Sequence, residues 1–506
     1  MDYHLAPDGD DLRDGRAPAS AWRTLARASA APLAAGDRVL LAGGATFVGP
    51  LVIDQRHGED PERPIEIASS GDGRATIDGG TGDGVVVRDR GAVWIHDLSV
   101  RGDGVDANRG AGVSLTCVLE QRVARVLIER VEACGFRSGG IVVGASGGGG
   151  FDGVRIRDCV AHGNGEAGIC AWGRVAKGAE QRWAHRDLII ERCLARDNRG
   201  IPEKTDNHSG NGIVIGCVEG ALIDLCEAHG NGGDCNFTGG GPVGIWCWEC
   251  SGVVIQRCES HHNRTGAGSL DGGGFDLDGG AVDSRISHCY AHDNDGAGYL
   301  ICQYAGARAF RGNRVEHNVS HDDGRAHRYG AITVYAGGPD QIRDTVATGN
   351  LLIIAPRADA FLPPAIALMG TPQAVRFADN LTIAHGGCPN VRSDGVASAP
   401  LVFAGNLHLR SGGDAVRTGE GGETGVATIA AWPPTVADAQ GEAPAPVAAT
   451  TSGIATLATN DWHASYAALA AAHGRTLAAV PAATPRDAGW AGAWAGAWTD
   501  AAATRR

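Results

Sequence analysis

One phrase recurs five times along this chain: VRIRDCVAHGN (154–164), LIIERCLARDN (188–198), ALIDLCEAHGN (221–231), VVIQRCESHHN (253–263) and SRISHCYAHDN (284–294). A weaker copy, NRVEHNVSHDD, occupies 313–323. The copies recur every 31 to 34 residues, and apolar and polar residues alternate within them. Alternation indicates β-strands, and a unit of this length buries its apolar side only by stacking on its neighbours. The repeats therefore predict an all-β fold, a right-handed parallel β-helix.

Other repeat architectures fit this pattern less well. The chain lacks the grid of leucine-rich repeats, its strands are too short for a propeller blade, and a helical repeat would show a period of about 3.6 residues. Glycine supplies 78 of the 506 residues, about twice its usual share, which indicates many tight turns. A hydrophobic content of 43% excludes a wholly disordered chain, and the lack of a Gly-X-Y period excludes collagen.

Two columns of identical residues are expected in the stacked coils. Each copy of the phrase contains one cysteine and ends in one asparagine, except the weak sixth copy. Stacked at the ~4.8 Å strand spacing, the asparagines should form a ladder in the turn. The cysteines should form a buried thiol column, because a free cysteine behaves as a small apolar residue. We expect no metal bound by cysteine.

The chain divides into three expected segments: an N-terminal cap with the first strands (1–74), the β-helix with the functional face (75–410), and an Ala/Pro-rich linker with a helical C-terminal segment (411–506). Residues 20–30 read as a short amphipathic capping helix with Ser20 as its N-cap. Residues 461–474 read as a second helix, followed by a Trp stripe at Trp490, Trp494 and Trp498.

Charge and segment composition bear on partners and location. Asp and Glu outnumber Lys and Arg by 58 to 44, so a nucleic-acid backbone is not an expected partner. No apolar run approaches the ~18 residues of a membrane span. The first residues, MDYHLAPDGDD, lack a signal-peptide pattern, which predicts a cytoplasmic protein, or a secreted one if the natural chain begins earlier. The Ala/Trp-rich tail could pack on another subunit of a homo-oligomer.

A second phrase follows each asparagine: GICAW (168–172), GIVIG (212–216), GIWCW (244–248), GFDLD (274–278) and GYLIC (298–302). Strand alternation places Trp246 and Trp248 on the outer face of one coil. It places Asp276 and Asp278 on the outer face of the next coil, about 4.8 Å away. Exposed tryptophans beside exposed carboxylates suit a sugar ring, which stacks on flat apolar faces and is hydrogen-bonded at its edges.

Loop lengths point to the same place. The ladder asparagine and the next phrase are four steps apart in two coils, but 14, 13 and 11 steps apart in the three coils that start at Asn198, Asn231 and Asn263. Three such insertions would raise a wall beside the Trp/Asp surface. We expect substrate contacts from Trp246, Trp248, Trp172, His208, Arg264 and His321. The loops and the next corner also supply Asp271, Asp295 and Lys204.

Two chemistries could use these residues. In a glycoside hydrolase, Asp276 and Asp278 would act as general acid and as base or nucleophile, with Cα atoms about 6.5–7 Å apart on one strand face. Asp271 or Asp295 would raise a neighbour's pKa by repulsion, and His292 would orient a carboxylate or act as acid or base. Such an enzyme requires no cofactor.

The alternative is a Ca²⁺-dependent lyase acting on uronic-acid polymers by β-elimination. Asp276 and Asp278 would then be metal ligands, because Ca²⁺ prefers carboxylate oxygens. Lys204, one of only two lysines in the chain, or an arginine of the loops would remove the proton. A third interpretation is a non-catalytic carbohydrate-binding β-helix, although that would not call for longer loops on three consecutive coils.

The chain resembles a known group in two places. YHLAPDGDDLRDGRAPASAWRTLARA (3–28) with LAAGDRVLLAGG (33–44), and DGGGFDLDGG (271–280) with SHCYAHDNDGAGYLI (287–301), are similar to segments of bacterial carbohydrate-active β-helix proteins of the pectate-lyase-like superfamily. The resemblance spans roughly residues 1–410. It implies a right-handed β-helix acting on carbohydrate, in a superfamily that holds lyases, hydrolases, epimerases and esterases. It carries over Asp276, Asp278 and Asp271 as site residues, and we predict an enzyme cleaving a polysaccharide or oligosaccharide.

Overall fold

The computed structural model describes residues 1–175, 183–338, 342–371, 374–394, 401–404 and 406–410, with isolated short pieces beyond. Almost all of this part is parallel β-strand wound into a solenoid, which confirms the predicted right-handed β-helix. Each coil contributes one strand to each of three long sheets, here named A, B and C in the order in which the chain enters them.

Sheet A has 15 strands: Asp2–Leu5, Arg38–Ala42, Ile65–Ser70, Val93–His96, Val123–Glu129, Phe151–Arg157, His185–Glu191, Val218–Asp224, Ser251–Gln256, Arg285–Ser287, Arg314–Glu316, Thr345–Thr348, Val375–Ala378, Leu401–Ala404 and Ile429–Ala430. Sheet B has 14 strands: Thr46–Val48, Ala75–Gly80, Leu98–Gly102, Glu132–Cys134, Val160–His162, Leu194–Arg196, Glu227–His229, Glu259–His261, Tyr290–His292, Val319–His321, Leu351–Ile354, Leu381–Ala384, Leu407–Arg410 and Val436–Ala437.

Sheet C has 13 strands: Leu51–Ile53, Val85–Arg88, Ala111–Cys117, Gly139–Ala145, Ala167–Trp172, Asn211–Gly216, Val243–Trp248, Gly273–Leu277, Tyr299–Gln303, Ile332–Ala336, Ile366–Gly370, Val391–Ser393 and Val416–Thr418. A short two-stranded sheet pairs Phe310–Arg311 with Ile342–Arg343. The repeated phrase thus forms sheets A and B, and the second phrase forms sheet C. The corner between B and C is where the long loops leave.

The N-terminal cap differs from the predicted helix over 20–30. A short 3₁₀ turn covers Pro18–Ser20, and the α-helix runs only over Leu25–Ala30. Its N-cap is Thr24, whose hydroxyl accepts the Arg27 N–H at 3.1 Å, so the prediction of Ser20 as N-cap is wrong. The reason lies at Trp22, which bridges to Leu5 in sheet A and keeps the chain extended between the two helical pieces. The helix predicted over 461–474 and the Trp stripe lie outside the described residues.

The interior of the coils contains the predicted columns. The five repeat cysteines are buried, and the Cys193 thiol donates to the Glu191 carbonyl at 3.4 Å. Burial raises the pKa of Cys193 well above its usual range, so it is an inert packing group.

Within the described part of the chain, no helix is both long and apolar enough to cross a membrane.

An asparagine ladder holds the B–C corner. The side-chain amide of Asn198 donates to Oδ1 of Asn231 at 2.9 Å, and Asn231 donates to Oδ1 of Asn263 at 2.9 Å. The run ends where Asn294 donates to Oδ1 of Asp323 at 2.7 Å. These buried side chains satisfy backbone groups that the turn would otherwise leave unpaired. They fix the bases of the loops that rise beside sheet C.

Candidate active site

The outer face of sheet C forms the floor of a cleft of about 690 Å³. Strand register sets Trp246 beside Asp276, and Asp276 beside Leu300, along one column. The neighbouring column sets Cys302 beside Tyr335. Because both columns lie on the outer face of adjacent coils, their side chains share one surface. The predicted Trp/Asp surface is therefore the floor of a cleft.

The three long loops form the walls of this cleft. Asn207 and His208 come from the first loop, Phe237 and the Gly239–Gly241 run from the second, and Leu270 and Asp271 from the third. These loops cover the floor more deeply than the sequence suggests. Trp246 is only 3% exposed and Asp276 only 2% exposed, so the prediction that they are exposed is wrong. They point away from the coil interior but lie beneath the loops.

Asp276 is the most deeply perturbed acid of the cleft. Burial, and then the neighbouring charges of Asp278 and Asp271, raise the pKa of Asp276 well above its usual range. Within the described residues, its Oδ1 has no hydrogen-bond partner. A buried carboxyl group without stabilising donors favours the neutral form. The surroundings of Asp276 therefore favour its neutral, carboxylic acid form.

Asp278 lies at the end of the same strand in a different environment. The Gly279 N–H donates to its Oδ1 at 2.7 Å, and the Cys302 thiol donates to the same carboxylate. Burial raises the pKa of Asp278 to about 6, because these two donors offset part of the burial effect and the charge of Glu249 adds to it. Two acids two residues apart thus have environments that raise their pKa values to different extents.

Asp271 reaches the cleft from the third loop. Its Oδ2 accepts the Gly241 N–H at 3.1 Å, which ties the third loop to the second. Burial raises the pKa of Asp271 to about 7, with a further contribution from the charge of Asp278. Its φ of +98° lies in a region that non-glycine residues rarely adopt, at a typical cost of about 1–3 kcal/mol. Such strain is typical of functional positions.

The predicted cations lie elsewhere. The Lys204 ammonium contacts both oxygens of Glu166, at 2.7 and 2.6 Å. The Arg264 guanidinium donates to the Asp293 carbonyl at 2.6 Å and lies 3.4 Å from Asp295. Among the described residues, no lysine or arginine lines the cleft. The cleft is acidic and aromatic.

His208 is part of the wall. Its ring lies edge-on to the Trp246 ring, with 5.0 Å between the ring centroids, and its Nδ1 lies 3.0 Å from the side-chain amide nitrogen of Asn211. Burial, with a smaller effect from the Lys204 charge, lowers the pKa of His208 to about 4, so it is neutral. Asn211 also accepts the Trp246 indole N–H at 3.1 Å. His208 and Asn211 together fix the orientation of Trp246.

Four other predicted site residues are not brought to the cleft. His292 and His321 lie on sheet B, around the corner from the floor. Asp295 accepts the Thr265 N–H at 3.3 Å beside Arg264 and is not a lining residue. Trp172 is 43% exposed on sheet C and packs over Gly144, on coils before the cleft.

The cleft also contains residues that the sequence analysis did not single out: Tyr304, Tyr329, Tyr335, Phe237, Leu270, Leu300, Cys302 and Met369. The signal for Cys302 and Tyr335 was present, because the Trp248 and Asp278 column continues through them at the coil spacing. Tyr329 and Phe237 lie outside the strands, where no period indicates the direction of a side chain.

Known proteins share this fold. Residues 203–347 match the family described as right handed beta helix region. A GH136 lacto-N-biosidase from Eubacterium ramulus has a TM-score of 0.55 at 16% identity, covering 76% of this chain and 67% of that one. The Azotobacter vinelandii mannuronan C-5 epimerase AlgE4 A-module has a TM-score of 0.44 at 16% identity, covering 80% and 91%.

A pectate lyase, Pel9A, has a TM-score of 0.42 at 15% identity, covering 75% of this chain and 78% of that one. No curated protein matches the chain by sequence. At such identities the likeness is one of fold, and function must be argued from the site. The chain thus has the right-handed parallel β-helix fold, and its residues 203–347 match the family model of that description.

Proposed function

We propose that this protein is a carbohydrate-active enzyme, a glycoside hydrolase that works in the cleft on sheet C. One observation carries the proposal: the buried Asp271 and Asp276 and the partly buried Asp278 share an aromatic cleft, and their environments raise their pKa values to different extents. The pKa of Asp276 is raised well above its usual range, whereas the pKa of Asp278 is raised only to about 6. Paired acids with separated pKa values are how an enzyme assigns an acid and a base at one pH.

Asp276 acts as the general acid. Its proton passes to the glycosidic oxygen as the bond to the anomeric carbon breaks, which leaves Asp276 as a carboxylate. Asp278, ionised at neutral pH and held by the Gly279 N–H, either removes a proton from the attacking water or attacks the anomeric carbon itself. Asp271 adds a third charge that raises the pKa of Asp276.

The lining of the cleft supports a neutral sugar. Trp248 is partly exposed, and Tyr304 and Tyr335 are 38% and 37% exposed, so flat faces are available for stacking. A uronate would bring a negative charge next to Asp278 without a lysine or arginine among the described lining residues. Substrates of lacto-N-biosidase belong among the first to be tested, because that enzyme shares the fold.

A Ca²⁺-dependent lyase is the second candidate. The unpartnered Oδ1 of Asp276, with Asp271 and Asp278 nearby, offers hard oxygen ligands that suit Ca²⁺. Lys204 does not support this chemistry, because Glu166 engages its ammonium outside the cleft lining. The hydrolase needs no cofactor and no base beyond the cleft acids.

A substrate screen tests the proposal. Neutral and uronate-containing poly- and oligosaccharides are incubated with Ca²⁺ or with EDTA, and both reducing ends and absorbance of unsaturated uronate are followed. The hydrolase predicts new reducing ends without absorbance, unaffected by EDTA and lost in Asp278→Asn. Absorbance that requires Ca²⁺ would favour the lyase. Sugar binding without cleavage would show a carbohydrate-binding β-helix and overturn both.

The pH profile of the cleavage rate should have two limbs set by different acids. The rate should fall as pH drops below about 6, because Asp278 becomes protonated. It should fall again at higher pH, where Asp276 loses its proton. Asp271→Asn should move the alkaline limb to lower pH, because it removes a charge that raises the pKa of Asp276.

Asp283→Asn is the matched control for this profile, since Asp283 is an exposed acid that lies 3.7 Å from Arg311. In this variant, kcat/KM should fall at the same low and high pH values as in the unmodified protein. An alkaline limb that stays in place in Asp271→Asn would contradict the assignment of Asp276 as the acid whose pKa is raised by Asp271.

A further inference from the structure

Two stacked histidines on sheet B share one orientation. His261 and His292 are register partners on consecutive strands. Their rings are 4.6 Å apart between centroids and only 6° from parallel. Both are buried, at 6% and 2% exposure. Equivalent atoms of the two rings therefore point the same way on successive coils.

Each ring has a carboxylate on its Nε2 side. His261 Nε2 lies 3.3 Å from Glu227, and His292 Nε2 lies 3.2 Å from Glu259. A carboxylate in this position accepts the Nε2–H and leaves the Nδ1 lone pair for another partner. Histidines that bind a metal through one ring nitrogen commonly donate the N–H of the other ring nitrogen to a carboxylate in this way.

The Nδ1 atoms face further ligand atoms at the corner. His261 Nδ1 is 2.8 Å from His262 Nδ1, and His292 Nδ1 is 2.9 Å from Asp293 Oδ2. The His262 ring stands nearly perpendicular to both stacked rings, at 87° and 89°. Ligand atoms of the three histidines all lie within 4.8 Å of one another. Lone pairs that meet at such distances need a proton or a cation between them.

The repeat explains why three histidines meet at one place on the column. The residue after the sheet B strand takes a left-handed conformation, with φ of 53° at His262 and 54° at Asp293. Copies elsewhere place Gly163, Asp197 or Gly230 at this position. Among the copies, only 261–262 places two histidines in succession; the next two copies place His292–Asp293 and His321–Asp322 there.

We propose that His261, His262, His292 and Asp293 form a zinc site at the B–C corner, separate from the carboxylate cleft. Three imidazole nitrogens and one carboxylate oxygen are a tetrahedral donor set that Zn²⁺ prefers. Zn–N bonds of about 2.0–2.1 Å place ligand nitrogens about 3.3 Å apart. This lies between the 2.8 Å that separates His261 Nδ1 from His262 Nδ1 and the 4.8 Å within which ligand atoms of all three histidines lie. His262 is exposed, which gives the ion a route of entry.

A zinc ion here would clamp two consecutive coils at the base of the third loop. His262 is two residues before Arg264, where that loop leaves, and the loop carries Asp271. Four protein ligands complete a tetrahedral site and leave no position for a substrate, so the role is structural. The ion should raise the Tm, because it binds the folded state.

The test uses the full chain after dialysis against EDTA and then against buffer. Titration with ZnSO₄ by calorimetry should show one ion per chain and a higher Tm. His262→Ala should abolish this binding, and Glu259→Gln should weaken it by about 10- to 100-fold. The matched control is His162→Ala, which removes a histidine of the same column that contacts Glu132 instead. That variant should bind zinc as the unmodified protein does.

A second variant tests whether the ion binds at the histidines or in the carboxylate cleft. Asp276→Asn, in the cleft, should leave zinc binding unchanged. Co²⁺ in place of Zn²⁺ should give the intense visible bands of a tetrahedral site, and His262→Ala should lose them. Absence of binding by the unmodified protein would overturn the proposal. So would binding that persists in His262→Ala or that disappears in Asp276→Asn.

Discussion

Replacing Asp276 by Asn is expected to lower kcat by about 10²- to 10⁴-fold, the usual contribution of a general acid. The amide has nearly the shape of the neutral carboxylic acid that the cleft favours, so the surroundings of Trp246 and Leu300 need not change. It has no acidic proton for the leaving oxygen. The loss should therefore appear in kcat, with KM for the substrate little affected.

The same substitution should stabilise the protein as pH rises. The pKa of Asp276 is raised in the folded state above its value of 3.8 in a free chain. A raised carboxyl pKa favours folding below the unfolded pKa, and this contribution is lost as pH rises through the folded pKa, at up to about 1.4 kcal/mol per pH unit. Asn does not titrate. The Tm of Asp276→Asn should thus exceed that of the unmodified protein increasingly with pH.

Measuring kcat and Tm together separates catalysis from folding. Asp283→Asn, the exposed acid, should change neither. A variant that loses activity and also loses Tm would indicate a damaged fold rather than a missing proton donor. Unchanged kcat in Asp276→Asn would assign the acid to another group, and Asp271 would be the first to examine because its pKa is raised to about 7.

The β-helix and the cleft floor could be predicted because both follow from short periods. A repeat of 31 to 34 residues sets the coil, and the two-residue period of a strand sets which face Trp246 and Asp276 occupy. Together, these two periods predict which residues of successive coils lie side by side, and the prediction does not depend on the loops. They placed the Trp/Asp pair in register, as the structure shows.

The walls of the cleft could not be predicted in this way. Sequence gives the length of a loop but not its path, so nothing indicated that His208 would pack on Trp246 or that Gly241 would hold Asp271. For the same reason, the burial of Trp246 was missed. Lys204 was singled out for its rarity, yet its neighbour Glu166 lies on another coil, 38 residues away.

The histidine column shows the opposite case, in which sequence was sufficient for position but not for chemistry. The repeated phrase aligns His261 with His292, and the two are register partners in the structure. Whether they act together depends on His262 and Asp293, which the turn conformation directs toward them. A strand period cannot describe a residue that lies in a turn.

Replacing Asn231 by Ala is expected to lower the free energy of unfolding by about 3–5 kcal/mol, the largest stability effect proposed here. Asn231 is buried in the middle of the ladder. Its Oδ1 accepts the backbone N–H and the side-chain amide of Asn198 at 3.1 and 2.9 Å. Its own amide donates to the Ala195 carbonyl at 3.1 Å. Alanine leaves these groups buried without partners, at about 1–3 kcal/mol each.

Urea unfolding followed by circular dichroism measures this loss. Asn236→Ala is the matched control, because the Asn236 amide bonds the Pro202 carbonyl near the surface and lies outside the ladder. It should change the free energy of unfolding by well under 1 kcal/mol, as surface substitutions usually do. Asn231→Asp should fall between the two, since a carboxylate can still accept from Asn198 but cannot donate to Ala195. Equal effects of Asn231→Ala and Asn236→Ala would show that the ladder adds little to stability. A large effect confined to Asn231 would show that the corner beneath the second loop depends on the ladder, and with it the position of Gly241 against Asp271.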